Sequence, residues 1–200
     1  MEPQIHLLQG DVRNLCRRLK PNSIDAVITD LPFPRVFHPL WSDVARESAR
    51  VLKPGAPFLT YSGHYGLPGL LNRLSEHLEY FWLGNMVHSR PVYRSELGIY
   101  TLGKPFLVFY KPPGFRPREP IHDVIAGSGR EKQFHPWQQP LEESRKFIRC
   151  LTKPGDWILD PCCGSGTTLL AARLEGRNAV GFEIDPQAYR SAYKRLNTKR

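Results

Sequence analysis

Short runs of apolar residues recur along the chain and are separated by polar, proline-rich or glycine-rich segments. Each run is rich in β-branched and aromatic residues, which is typical of strands that are buried on both faces. This pattern predicts seven strands, at residues 5–9, 24–29, 56–61, 80–87, 105–110, 157–160 and 178–182.

Stretches with helical periodicity lie between these runs. In residues 41–52, Trp41, Val44 and Ala45 begin an apolar stripe along one side of a helix. Similar patterns predict helices at residues 67–78, 140–152, 167–175 and 186–197. Strands that alternate with helices are typical of an α/β fold. We therefore expect a doubly wound, seven-stranded, mostly parallel Rossmann-like sheet with helices on both faces.

The chain is expected to form a single domain, because 200 residues suit one hydrophobic core. Residues 111–135 show no strong period, which favours a mobile loop or a small accessory element. No run of about 18 apolar residues is present, so we expect no contact with a membrane. The N-terminal residues lack the basic start and apolar core of a secretory signal, and we expect a cytoplasmic protein.

The chain is strongly basic. Lysine and arginine total 28 against 19 acidic residues, which gives a net charge of +9 and an isoelectric point near 9.6. This excess favours a polyanionic partner, nucleic acid first, and residues 88–133 carry eight basic residues against four acidic ones. The four cysteines include no Cys-x-x-Cys pair, so we expect reduced thiols and no metal site.

The most informative segment is a strand, turn, helix and strand that begins WILDPCCGSGTT. The first strand ends at Asp160, and the glycines of the turn allow the backbone to pass close to a ligand. Glu183 ends the next strand, where an acid is placed to bind ribose hydroxyls. A dinucleotide site would need a third glycine where Leu169 stands, which disfavours a nicotinamide cofactor. The pattern favours S-adenosylmethionine, whose positive sulfonium and ammonium groups are attracted to carboxylates.

A second candidate site is Asp30-Leu31-Pro32-Phe33, which follows the buried strand at residues 24–29. At the carboxyl end of that strand, these residues would face the ligand crevice. Asp30 and the Leu31 carbonyl would accept hydrogen bonds from an exocyclic amine and localise its lone pair. Phe33 would stack on a base taken out of the duplex. On these residues alone, a plain proline turn with Phe33 in the core is the favoured interpretation.

Together, the two sites resemble those of the β-type amino-group DNA methyltransferases, in which the catalytic tetrad precedes the glycine loop, a circularly permuted motif order. The family tetrad is Asp, Ser or Asn, then Pro-Pro and an aromatic residue, so Leu31 replaces the first proline. The resemblance covers nearly the whole chain. It implies that the cofactor is held by Asp11, His135, Gln138, Asp160, Pro161, Cys162, Gly164, Ser165, Gly166, Thr167, Thr168, Glu183 and Asp185.

Family members usually carry a sizeable target-recognition region, and here only residues 116–135 stand in its place. So short a segment would contact phosphates more readily than it reads bases. We expect a catalytic half at 1–110, a short loop at 111–135 and a cofactor-binding half at 136–200. Residues 88–104 are either an exposed polar loop or a further DNA contact. The DNA-contacting candidates are Arg90, Arg94, Lys104, Arg116, Arg118, Arg130 and Lys132.

We therefore predict an S-adenosylmethionine-dependent methyltransferase that acts on an exocyclic amino group in duplex DNA, with the target base flipped from the stack. The predicted catalytic residues are Asp30, Leu31, Pro32 and Phe33. By resemblance, a tetrad that starts with Asp favours N6 of adenine, and N4 of cytosine is the alternative. A catalytically silent accessory subunit and an RNA methyltransferase are competing predictions. A homodimer and a separate specificity partner are both left open.

Overall fold

A single mixed sheet forms the centre of the computed structural model, which describes residues 2–127 and 140–198. The strands of these residues are β1 Ile5–Gln9, β2 Ala26–Thr29, β3 Pro57–Tyr61, β4 Glu79–Arg94, β5 Ile99–Tyr110, β6 Val124–Ala126, β7 Trp157–Asp160 and β8 Asn178–Glu183. Their order across the sheet is β1-β8-β7-β2-β3-β5-β4-β6. Strand β5 runs antiparallel to β3 and β4, and the other five pairings are parallel.

Helices cover both faces of this sheet. They are α1 Val12–Leu15, α2 His38–Val51, α3 Leu67–Ser75, α4 Leu141–Leu151, α5 Thr167–Leu174 and α6 Pro186–Asn197. On one face, Val27 of β2 packs with apolar side chains of α1, α2 and α3. On the other face, Ala26 and Ile28 pack with those of α4, α5 and α6. The predicted doubly wound, Rossmann-like sheet is therefore confirmed, with eight strands in the described residues in place of seven.

Strands β2 and β7 lie side by side at the point where the strand order reverses. From β7 the chain crosses to β8 through α5, and from β2 it crosses to β3 through α2 on the opposite face. Because β2 and β7 are parallel, their carboxyl ends meet at the same edge of the sheet. Ligands of open α/β sheets bind in the crevice at such a point. Both candidate sites start here, since Asp30 follows β2 and Asp160 ends β7.

Strands β4 and β5 are longer than the sequence predicted. The predicted strands end at residue 87 and begin at residue 105, whereas β4 continues to Arg94 and β5 begins at Ile99. Most of residues 88–104 therefore form a two-stranded ribbon beyond the sheet, with a turn at 95–98, in place of a loop. Pro91 cannot donate a ladder hydrogen bond and lies within the register shift between Val87 and Val92, and this interruption hides the strand in the sequence.

The eighth strand, β6, lies within residues 111–135, where the sequence predicted a mobile loop or a small accessory element. It has three residues, too few to produce a period, and it pairs in parallel with β4. The Asn85 N–H also donates to the Asp123 carbonyl at 2.6 Å, just before β6. Residues 128–135 of that segment lie outside the described residues. Over the part of the chain that is described, no helix is both long and apolar enough to cross a membrane.

A substitution at Gly84 on β4 tests how closely β4 packs against β5 and β6. A Cβ at this position would overlap the Phe106 ring and lie 2.6 Å from the Asp123 carbonyl oxygen. Phe106 is fully buried, so its ring has no free space to move into. We expect Gly84→Ala to lower the free energy of unfolding by about 1–3 kcal/mol, measured by urea unfolding.

Gly69→Ala is the matched control, because Gly69 lies in helix α3 and a Cβ there meets nothing within 4 Å. Alanine has the higher helix propensity, so this variant should be at least as stable as the parent protein. Equal urea midpoints for Gly84→Ala and the parent would contradict the close packing of β4 against β5 and β6.

Candidate active site

Two loops meet at the carboxyl ends of β2 and β7, and one hydrogen bond joins the two strands there. The Thr29 hydroxyl, at the end of β2, donates to Asp160 Oδ1, at the end of β7, over 2.8 Å. Thr29 is 1% exposed and Asp160 is 3% exposed, so this bond is shielded from water. It fixes the Asp160 carboxylate beside the start of the loop that carries Asp30.

The loop after Asp160 turns sharply at two glycines. Gly164 and Gly166 have φ values of 51° and 75°, in the left-handed region that other residues rarely adopt. A Cβ on Gly166 would lie 3.2 Å from the Ala192 Cβ in α6, whereas a Cβ on Gly164 would meet nothing within 4 Å. Gly166 therefore allows α6 to pack closely, and Gly164 leaves its backbone open to a ligand.

The carboxylate of Asp160 is buried and accepts several hydrogen bonds. The Thr168 hydroxyl donates to it, as does the Cys162 N–H at 3.2 Å, in addition to Thr29. Burial outweighs these bonds and, together with the nearby Asp30 carboxylate, raises the pKa of Asp160 to about 7. A positive charge beside Asp160 would offset the cost of ionising it, so this position attracts a cation.

A second carboxylate closes the other side of the glycine loop. Glu183, the last residue of β8, accepts hydrogen bonds from the N–H groups of Gly164 and Asp185, both at 2.8 Å. Its carbonyl accepts from the Gly10 N–H at 2.9 Å, which brings the Gly10-Asp11 segment to the same place. A carboxylate offers about four lone-pair positions, so Glu183 can also accept hydrogen bonds from hydroxyl groups.

Asp11 and Asp185 cap helices. Asp11 Oδ1 accepts from the Arg13 N–H at the start of α1, and hydrogen bonds from the Arg13 guanidinium hold the pKa of Asp11 below its usual value. Asp185 Oδ1 accepts from the N–H groups of Gln187 and Ala188 at the start of α6. Each cap of this kind stabilises a helix by about 1 kcal/mol. Both carboxylates are therefore held in fixed positions at the edge of the crevice.

A buried arginine ties the glycine loop to α6. Arg195 Nη1 donates to Thr167 Oγ1 at 2.7 Å and to the Ser165 carbonyl at 3.4 Å. Pro161, Ser165 and Thr168 are buried as well. Several of the predicted cofactor residues therefore shape the loop, and its backbone is what they present to a ligand.

The four tetrad residues take different roles after β2. Leu31 is buried in the core, and the Pro32 carbonyl accepts a hydrogen bond from Trp41 Nε1 at 3.0 Å. That bond anchors the turn although Leu31 stands where the family has a proline. Phe33 is only partly buried and packs against the apolar clusters on both faces of the sheet, so it is not simply a core residue.

Lys104 of β5 lies beside Asp30. Its Nζ donates to Asp30 Oδ2 at 2.9 Å and lies 4.5 Å from the ring centre of Tyr61 and 5.1 Å from that of Phe33. Tyr61, the last residue of β3, pairs with Phe106 of the antiparallel strand β5. Lys104 is two residues away from Phe106 on β5, so it lies beyond the end of β3, at the carboxyl edge of the sheet. A carboxylate, a cation and two aromatic rings therefore lie together in the crevice, at the carboxyl edge of the sheet; we refer to this part of the crevice as the pocket.

The two loops, in this order along the chain, match a known family. A profile described as DNA methylase, N6_N4_Mtase, matches residues 24–194 of this chain. The chain belongs to this DNA methylase family. The resemblance to amino-group DNA methyltransferases that the sequence suggested is thereby confirmed.

Individual proteins are similar to this methylase over nearly its whole length. YubD of Escherichia coli (strain K12) is 26% identical over 211 residues, which cover 94% of this chain and 88% of YubD. The crystal structure of the M1.HpyAVI–SAM complex has a TM-score of 0.80 and 27% identity, and the match covers 98% of this chain and 100% of that one. The cytosine-N4-specific PvuII DNA methyltransferase shares the fold, with a TM-score of 0.85 at 18% identity, over 100% of this chain and 89% of that one.

The DNA-contacting candidates of the methylase lie in different places. Arg90 and Arg94 are exposed on the ribbon, and Arg116 and Arg118 are exposed between β5 and β6. Lys104 lies in the pocket beside Asp30. Four predicted site residues lie outside the described residues: Arg130, Lys132, His135 and Gln138. Within residues 2–127 and 140–198, no cluster of three or more His, Cys, Asp or Glu could hold a metal ion.

Sequence reasoning missed several residues of the site. Thr29 and Tyr61 end β2 and β3, so the strand-end rule that selects Asp160 could also have selected them. Trp41 looked like one residue of an apolar stripe, and nothing local indicates that its indole N–H anchors the tetrad turn. Arg195 likewise gives no signal, because its contact with the glycine loop depends on how α6 packs.

Burial of Asp160 has a measurable effect on stability. Its pKa is about 7 in the folded protein against a usual value of 3.8, so the folded state binds the proton more tightly than the unfolded state. Stability should therefore fall as the pH rises between these two values. We expect the parent to lose about 3 kcal/mol more than Asp160→Asn does between pH 5 and pH 8, measured by urea unfolding.

Asparagine keeps the size of the side chain and one acceptor oxygen, so this variant removes the ionisation. Asp43→Asn is the control, because Asp43 pairs with Arg46 on the outer side of α2 and should leave the pH dependence of the parent unchanged. If the parent and Asp160→Asn showed the same change in stability between the two pH values, burial would not control the Asp160 proton.

Proposed function

We propose that this methylase transfers the methyl group of S-adenosylmethionine to N6 of adenine in DNA. One observation carries the proposal: two carboxylates lie at the carboxyl ends of neighbouring parallel strands that a hydrogen bond joins. Asp30, which follows β2, is placed to accept from an amine, and Asp160, which ends β7, is placed to attract a cation. S-adenosylmethionine supplies an electrophilic methyl group on a positively charged sulfonium. N4 of cytosine fits the same arrangement, and the tetrad that starts with Asp favours adenine by family resemblance.

The residues around the glycine loop fit this cofactor. The buried Asp160 carboxylate favours a cationic neighbour, and the open side of Gly164 allows a ligand to approach the backbone. Glu183 has lone pairs left to accept hydrogen bonds from the two ribose hydroxyls. Asp11, held by its helix cap, is placed with Glu183 through the Gly10 hydrogen bond, which suits the adenosine end of the cofactor.

The tetrad is placed to hold the target amine. The lone pair of an exocyclic amine is delocalised into the ring, and acceptors for its hydrogens localise that pair on nitrogen. Asp30 and the Leu31 carbonyl are the proposed acceptors, and the partly exposed Phe33 ring is the surface on which a flipped base stacks. The main contribution of the protein is positioning, because in-line transfer needs the amine and the methyl group at a fixed distance and angle. The amine proton becomes acidic after transfer and leaves to Asp30 or water.

The ribbon formed by β4 and β5 is the proposed contact with duplex DNA. From Phe106 to Ile99 it extends roughly 24 Å beyond β3, at about 3.4 Å per residue, and a two-stranded ribbon fits the major groove. Tyr93 and Tyr100 are 52% and 69% exposed near its tip, with ring centres 4.7 Å apart. The exposed Arg94 beside them is placed to contact phosphate.

A single working domain is part of this proposal. The catalytic half, 1–110, and the cofactor-binding half, 136–200, contribute neighbouring strands to one sheet, which supports joint action of the two halves. Residues 111–135 take the place of a target-recognition region. A cytoplasmic location is part of the same proposal.

Methyl transfer from radiolabelled S-adenosylmethionine to unmethylated genomic DNA tests the reaction. We expect the parent to label DNA and Asp30→Asn to react about 10²–10³-fold more slowly, because asparagine replaces one positioned acceptor oxygen with a donor. Digestion of the product to nucleosides shows whether the label is in methyladenine or methylcytosine.

Asp43→Asn is again the control, and it should keep the rate of the parent. Label in methylcytosine would overturn the choice of adenine and leave the reaction class standing. Absence of label from DNA, with the cofactor still bound, would overturn the proposed reaction and favour either an RNA substrate or a silent accessory subunit.

The salt dependence of DNA binding tests the ribbon. We expect Arg94→Ala to weaken binding to duplex DNA and to reduce the slope of log Kd against log salt by about 1, because one phosphate contact is lost. Arg190→Ala is the control, since Arg190 is exposed on α6, which packs at the β1–β8 edge of the sheet. If both variants kept the slope of the parent, Arg94 would not contact phosphate.

A further inference from the structure

We propose that Lys104, together with Asp30, reads the Watson–Crick edge of the flipped target base. The inference rests on the proposed function, and it assigns Lys104 a more specific role than the general DNA contact that the sequence suggested for residues 88–104. It is carried by the location of the ammonium group beside the tetrad, at 2.9 Å from Asp30 Oδ2 and over the rings of Tyr61 and Phe33.

The surroundings of Lys104 do not suit a phosphate contact. Its side chain is 19% exposed and that of Asp30 is 23% exposed, whereas Arg90 and Arg94 on the ribbon are open to solvent. The ammonium also lies over the rings of Tyr61 and Phe33, and such cation–π contacts hold it in place. A charge fixed in this way is directed at a ligand within the pocket.

The pair presents a hydrogen-bond acceptor beside a donor. Adenine carries its N6 amine beside the N1 acceptor, and cytosine carries its N4 amine beside the N3 acceptor, so both bases complement Asp30 and Lys104. Guanine and thymine present a carbonyl oxygen beside a ring N–H, which is the reverse order. In-line transfer requires the group in the amine position to lie beside the methyl group, so the base cannot turn over to improve its contacts. A base with the reverse order would therefore place its carbonyl oxygen against the Asp30 carboxylate and its ring N–H against the Lys104 ammonium, and both contacts are repulsive. The pair therefore selects adenine and cytosine and rejects guanine and thymine.

The ion pair does not have to break when a base enters. A lysine ammonium has three N–H donors, so Lys104 can donate to Asp30 and to a ring nitrogen at the same time. A carboxylate has about four lone-pair positions, so Asp30 can accept from Lys104 and from the amine together. The ring of Phe33, beneath Lys104, is the stacking surface proposed for the same base.

Substrates that differ in one ring atom test this role. The methylated sequence, mapped in the labelled genomic DNA, is made as a duplex with 1-deazaadenine at the target position, or 3-deazacytosine if the label is in cytosine. Either analogue keeps the amine and removes the neighbouring acceptor. We expect the parent to lose about 10–100-fold in kcat/KM on the analogue, the usual worth of one good base contact.

The variants Lys104→Met and Lys104→Arg complete the cycle. On the normal duplex, we expect Lys104→Met to lose about as much kcat/KM as the parent loses on the analogue through the missing contact. On the analogue, the variant should lose only what an intrinsic change in amine reactivity costs, which the parent loses as well. Any intrinsic change in amine reactivity affects parent and variant equally and cancels in the comparison. Lys104→Arg keeps a donor and should recover part of the activity and part of the sensitivity to the analogue. For an adenine target, 7-deazaadenine, altered on the far side of the ring, should leave the Lys104→Met effect unchanged.

The outcomes separate this inference from the proposed function. Equal losses on the analogue for the parent and Lys104→Met would overturn the inference, as would a Lys104→Met effect confined to the salt slope of DNA binding. If Lys104→Met does not fold, the parent and Lys104→Arg still decide, because full activity of the parent on the analogue contradicts the proposed contact. Failure of the parent to methylate any normal DNA would overturn the proposed function itself.

Discussion

The hydrogen bond from Thr29 to Asp160 is the contact on which the rest of the site depends. The two residues are 131 positions apart in the sequence, and only the parallel pairing of β2 with β7 makes them neighbours. Since one strand carries the tetrad and the other the glycine loop, this bond fixes the spacing between the proposed methyl acceptor and methyl donor. Positioning is the main contribution of an enzyme to a transfer of this kind, and in the proposed reaction a buried contact of the sheet provides it.

The same contact places a carboxylate where burial raises its pKa to about 7, which lowers the stability of the folded protein near neutral pH. A well-packed apolar side chain would be more stable there, and the proposed binding of a cation, rather than folding, accounts for the acid. Hydrogen bonds around Asp160 offset this loss of stability. Glu183 accepts hydrogen bonds from two backbone N–H groups, and Asp185 caps α6. Local caps and loop hydrogen bonds hold the site rigid without occupying every lone pair that a cofactor would need.

The sequence could predict those parts of the site that depend on local signals. Asp160 and Glu183 follow recognisable strands, and the carboxyl ends of parallel strands meet at one edge, so their convergence was expected. The position of Lys104 could not be expected, because it depends on the antiparallel pairing of β5 and on the direction of one side chain. The three-residue strand β6 and the extension of β4 past Pro91 were missed since neither produces a continuous period.

Strand β5 links the two proposed DNA contacts. Tyr100, Leu102 and Lys104 alternate along the strand and therefore share one face. Exposure falls along this face from 69% at Tyr100 to 46% at Leu102, while the Lys104 side chain, at 19%, lies within the pocket. If the tip of the ribbon enters a groove and Lys104 meets the flipped base, one continuous strand spans the duplex and the catalytic pocket. In the proposed function, such a strand couples DNA binding to the choice of base in a chain where residues 111–135 stand in place of a target-recognition region.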